Sequence, residues 1–114
     1  MKQTANFGDL PEAYSSLEKA KVVILPVPYD GTSTWLKGAD KGPAAVIEAS
    51  AYMELYDIET NSQVYQHGIF TAEPVDEGEL PEQMVKTVHK RVHDYILILH
   101  IHFSNLNGHQ AAEQ

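Results

Sequence analysis

Residues 21–51 read KVVILPVPYDGTSTWLKGADKGPAAVIEASA, and no other stretch of this 114-residue chain has as much local definition. Val22, Val23, Ile24 and Leu25 form a continuous apolar run rather than an alternating one. Such a run suits a strand covered on both faces, as in a parallel α/β sheet. Pro26 and Pro28 cannot donate to a sheet ladder, so the strand should stop there. Tyr29-Asp30-Gly31 then reads as a turn, and residues 32–41 as a long loop in which Gly31 and Gly38 can take unusual backbone angles. A loop of this length after a buried strand is more often functional than decorative. Gly42-Pro43 opens a helix, with proline at the first helical position, where its missing N–H costs nothing. Ile47, Ala51 and Leu55 recur four apart and are expected to face the sheet.

Working outward, Phe7, Leu10, Tyr14 and Leu17 recur at intervals of three or four and suit a short amphipathic turn or helix. Residues 55–59 alternate well enough to be a strand, residues 64–65 begin a second extended piece, and residues 68–75 (GIFTAEPV) read as another short strand. From Glu82 onward Met84, Val85, Val88, Val92, Tyr95 and Ile96 follow helical spacing. Residues 96–103 (ILILHIHF) have strand character and are followed by a polar tail. The order β, α, β, β, α, β points to an α/β sheet.

Composition narrows the function classes. A net charge of −8 leaves no basic stripe for phosphates, so no nucleic-acid partner is expected. The absence of cysteine excludes disulfides, thiolate metal sites and cysteine nucleophiles. No signal-like h-region and no apolar run long enough to span a bilayer occur, so a cytoplasmic, membrane-free protein is the expectation. Phosphate-loop, nucleophile-elbow and dinucleotide fingerprints are all missing.

The motifs Val27-Pro28-Tyr29-Asp30-Gly31-Thr32, Lys37-Gly38-Ala39-Asp40-Lys41-Gly42-Pro43 and Ile47-Glu48-Ala49-Ser50, taken together, resemble the N-terminal part of the ureohydrolases. Within that family, which includes arginase, the resemblance is to the agmatinases. Residues 54–59 and 68–75 are similar to the family's next two short strands. The resemblance implies an arginase-like three-layer α/β/α fold with a mainly parallel sheet. It also implies manganese-dependent hydrolysis of a guanidinium C–N bond, with agmatine giving urea and putrescine as part of polyamine metabolism. In the intact family enzyme two Mn²⁺ ions activate a bridging hydroxide. Their ligands come from Gly-Gly-x-His, Asp-Ala-His-x-Asp and Asp-x-Asp segments, and none of these is present here.

The expected organisation is therefore a partial ureohydrolase domain over residues 1–95 and a divergent tail over 96–114, in which Gly108-His109 matches the first ligand motif only faintly. Truncation or a frameshift would give this appearance, as would a cloned fragment with an unrelated tail or a short relative. On this reading the chain has no catalytic residues of its own, expects no cofactor and is inactive alone. An open sheet edge and an uncovered face favour association, including a homo-oligomer.

Several residues carry alternatives. Asp30, with Gly31, Thr32 and Trp35, would line the entrance for a small guanidinium substrate, at the strand end where ligands of open sheets gather. Equally, Asp30 could hydrogen-bond its own turn and Trp35 could pin its own loop. The six histidines invite a metal-binding alternative. His100 and His102 would share a strand face and offer ligands for Zn²⁺ or Ni²⁺, with His109 beyond. His89 and His93, four apart, would share a helix face and can chelate, or can simply be solvated. The alternative function is thus a small His-rich metal-binding or protein-interaction domain.

Overall fold

The computed structural model describes residues 5–78 and 80–112, with side chains described as far as residue 104. Strand β1 (Val22–Ile24) and strand β2 (Ile69–Thr71) pair in parallel, in the register Val22↔Ile69, Val23↔Phe70, Ile24↔Thr71. Helix α1 (Gly42–Ser50) lies in the connection between them, so the unit is a strand–helix–strand crossover. Helix α2 (Pro81–Ala112) follows. Parallel strands need such a crossover, and a helix supplies it. The sheet pairing continues as isolated bonds past the strand ends, from the Ala72 amide to the Ile24 carbonyl (2.9 Å) and from Val75 to Pro26 (3.0 Å). Proline's carbonyl can still accept where its nitrogen cannot donate.

The core is small. Among the described residues it comprises Leu10, Ala20, Ile47, Ala72, Val75 and Met84, with Ser15, Asp30 and Ser50 as buried polar members. Burial of Ser50 is made tolerable by complete hydrogen bonding: its hydroxyl accepts from the Gly8 amide (2.7 Å) and donates to the Ile47 carbonyl (2.5 Å). This ties the N-terminal segment, with its 3-10 turns at Phe7–Asp9 and Glu12–Tyr14, to α1. A second tie runs from the Phe7 amide to the Thr71 hydroxyl of β2 (2.9 Å). The ring of Tyr14 meets that of Tyr65 edge-on at 5.3 Å.

Three expectations change. Residues 55–59 do not form a strand: Asp57 makes a single antiparallel bridge to Ser62, and its carboxylate accepts from the Glu59 amide (3.0 Å) and the Thr60 hydroxyl (2.7 Å). A short acidic side chain that bonds the backbone two residues on competes with ladder pairing. Those two contacts, the Thr60 hydroxyl first, hold the Asp57 carboxyl below its ordinary value. The extended piece expected at residues 64–65 is a 3-10 turn, Val64–His67. Most consequentially, residues 96–103 continue α2 instead of forming a strand. Nothing between Tyr95 and Ile96 breaks the helix, and a short apolar run fits either structure.

Sheet coverage is also thinner than an all-apolar strand suggests, since Val22 is 47% exposed. Of the helix positions expected to face the sheet, Ile47 is buried, whereas Ala51 and Leu55 are exposed because α1 ends at Ser50. An apolar groove lined by Phe7, Leu25, Val27, Pro43, Val46 and Ile47 runs between β1 and α1. Helix α2 packs on the body through buried Met84, whose sulfur accepts from the Gly78 amide (3.0 Å). Tyr95 adds a tilted contact to Phe70 (6.2 Å), and Arg91 lies over Tyr95 and donates to the Glu73 carbonyl (2.9 Å). No helix among the described residues is long and apolar enough to cross a membrane.

Candidate functional site

The loop after β1 folds around Asp30. This side chain is 8% exposed, and its Oδ2 accepts from the Gly38 amide at 2.5 Å. The backbone of Asp30 is held as firmly as its side chain. Its carbonyl accepts from Lys37 Nζ (2.9 Å) and its amide donates to Glu77 Oε1 (3.0 Å). Lys37 also donates to the Ser33 carbonyl (3.1 Å), closing the loop on itself. Gly38 takes φ +133°, a backbone angle that side-chain-bearing residues rarely adopt, which aims its N–H at the carboxylate. The Ala39–Lys41 3-10 turn then leads directly into α1.

The Ser33 hydroxyl, the Gly38 amide, the Lys37 ammonium and the Ala39 amide together hold the Asp30 carboxyl below its ordinary value, against some desolvation. Asp30 Oδ1 is buried and makes no hydrogen bond of its own. Since the folded value is depressed, the charged clamp contributes fully above the ordinary carboxylate pKa of about 3.9 and is lost as pH falls through the lower folded value. Asp30→Ala is therefore expected to lower the protection of the Gly38 amide, relative to its intrinsic exchange rate, at neutral pH, and acidified wild-type protein should approach the variant's protection. Unchanged Gly38 exchange in the variant would show that the carboxylate does not organise the loop.

Asp30 and Gly31 line an open depression of about 430 Å³, together with Lys37, Gly38, Asp40, Lys41 and Glu77. Thr32 and Trp35 are exposed and do not line it, and Trp35, at 90% exposure, does not pin its loop. Both readings of Asp30 thus have a structural counterpart, since it bonds its own loop and also borders a depression. Glu77 was not evident from sequence. It lies 47 residues away in an acidic connection that reads as solvated charge, and only the parallel pairing of β1 with β2 brings it to Asp30. No local spacing could have signalled it.

The histidines are dispersed. His67 ends its turn and lies 3.5 Å from Lys21 Nζ. Because residues 96–103 are helical, His100 and His102 are about 200° apart around α2 and do not share a face. His100 is exposed, and His102 is half-buried with Nδ1 unpartnered. The side chain of His109 lies outside the described residues. Among the described residues no three His, Asp or Glu side chains converge as a metal site.

The fold and this loop define an α/β unit with a glycine-punctuated loop at the carboxyl end of its first parallel strand. The arginase family model matches residues 20–101, which spans the strand, the loop, both helices' packing segments and β2. The chain belongs to the arginase family. It is 43% identical over 65 residues to an N(1)-aminopropylagmatine ureohydrolase of Synechocystis, covering 56% of this chain and 21% of that protein. It is 42% identical over 69 residues to the enzyme of the same name from Thermus thermophilus, covering 60% and 22%. The agmatine ureohydrolase of Thermoplasma volcanium has the same fold over 86% of this chain and 32% of that one, with a TM-score of 0.72 at 21% identity. The chain thus spans about a fifth of the length of the curated relatives it matches.

Proposed function

We propose that this chain supplies the first strand–loop–helix–strand portion of a ureohydrolase that releases urea from a guanidino-bearing polyamine. The observation that carries this is the family match over residues 20–101, which contains the Asp30 loop and its Gly-Pro helix start. Agmatine is the substrate suggested by the sequence resemblance. The relatives named N(1)-aminopropylagmatine ureohydrolase favour a longer amine carrying the same guanidino end. The role assigned to Asp30 and Gly31 is structural support for one wall of the substrate entrance. Asp30 fixes the loop through Gly38 and Lys37, while Glu77 anchors the strand end from β2.

The family's manganese centre does not fit the residues at this depression. Asp30, Asp40 and Glu77 border it, but Lys37 and Lys41 share it, and cations beside a dication oppose binding. Asp30 Oδ2 and Glu77 Oε1 are already committed to backbone amides. The His-rich alternative receives no support from His100 and His102, which face apart. Catalytic competence therefore depends on ligands that these residues do not provide. The purified 114-residue chain, given Mn²⁺ and either agmatine or N(1)-aminopropylagmatine, is expected to release no urea above a protein-free control. Turnover that EDTA abolishes would overturn this reading.

A further inference from the structure

We propose that His89 and His93 form a two-ligand chelate for a divalent transition metal on the exposed flank of α2, separate from any family metal centre. The two residues are one helical turn apart, and their rings already stack, with centroids 6.4 Å apart and planes 19° from parallel. Both side chains are exposed, so no desolvation or repacking opposes an incoming ion. Two bonds of about 2.0 Å from one ion require donor nitrogens about 3 Å apart, which side-chain torsions can reach from this stack without moving the backbone.

Asp94 supplies the supporting group. Its Oδ1 lies 3.8 Å from His93 Nδ1. A carboxylate on the Nδ1 side can orient the ring so that Nε2 is left to ligate. Two imidazoles select Zn²⁺, Ni²⁺ or Cu²⁺ over Mg²⁺ or Ca²⁺, which prefer oxygen donors. Lys86 and Lys90, each three residues before one of the histidines, oppose the charge and limit affinity. His100 occupies the same face but lies two turns further on, about 10 Å along the axis, too far to share the ion. Solvent completes the coordination.

The test is calorimetric titration of the full chain with ZnCl₂ at neutral pH, with MgCl₂ as control. One Zn²⁺ per chain is expected at this pair. Asp94→Asn should weaken it by less than about tenfold, and His89→Gln or His93→Gln should weaken it by more than that. His100→Gln should leave it unchanged. Wild-type affinity retained in His89→Gln and His93→Gln, or a loss seen with His100→Gln alone, would overturn the assignment. All these positions are exposed, so the variants fold, and circular dichroism of α2 verifies it.

Discussion

Gly68→Ala is expected to destabilise the chain by about 3 kcal/mol, enough to unfold much of a domain with so small a core. Gly68 has φ +90° and immediately precedes β2. Its carbonyl accepts from both the Lys21 and Val22 amides, at 3.1 and 3.2 Å, and so starts the parallel pairing with β1. A Cβ added there would lie 2.9 Å from the Lys19 carbonyl oxygen and 2.9 Å from the Ala20 Cα. Both are backbone atoms, so no side chain can swing aside to relieve the contact. Relief means sliding one strand away from the other, which breaks the Val22↔Ile69 register and exposes Ala20 and Ala72. Chemical denaturation followed by circular dichroism measures the effect. A change below about 0.5 kcal/mol would mean that the strand junction is not the constraint described.

Gly68 also marks the limit of what sequence reveals. His67-Gly68 reads as a turn before a short strand, and that is correct as far as it goes. Its two backbone contacts depend on residues nearly fifty positions earlier, which local patterns do not encode. The opposite holds for Val22 to Ile24 and for the helix opened by Gly42-Pro43. There the punctuation lies within the same few residues: proline ends the strand and begins the helix, and both elements start where expected, although α1 stops at Ser50. The first half of α2 was equally legible, because Met84, Val88 and Tyr95 keep helical spacing over several turns.

Two misreadings have separate causes. Residues 55–59 alternate like a strand, yet Asp57 turns the chain by bonding Glu59 and Thr60. Residues 96–103 are apolar and β-branched in part, yet they continue a helix that is already nucleated and meets no glycine or proline until Gly108. Elongating a formed helix adds one hydrogen bond per residue fixed, whereas a new strand needs a partner edge. The depression after β1 was legible in part. The strand end places Asp30 and Gly31 beside it, whereas Glu77 comes from a distant connection, and Trp35 lies exposed outside it.

The second large effect concerns the relationship between this segment and the enzymes it resembles. If residues 20–101 are the family's opening portion, they should substitute for it in a complete enzyme. The Asp30–Gly38 clamp fixes the loop from within, and the Gly68–Val22 junction fixes the sheet, so the segment carries its own geometry into a new context. The direct measurement replaces the matching 69-residue segment of the Thermus thermophilus N(1)-aminopropylagmatine ureohydrolase with its counterpart from this chain and assays urea release. Activity within about tenfold of the parent, a barrier change of about 1.4 kcal/mol, is the predicted result. A chimera that is soluble and folded but inactive, or one that cannot fold at all, would contradict it.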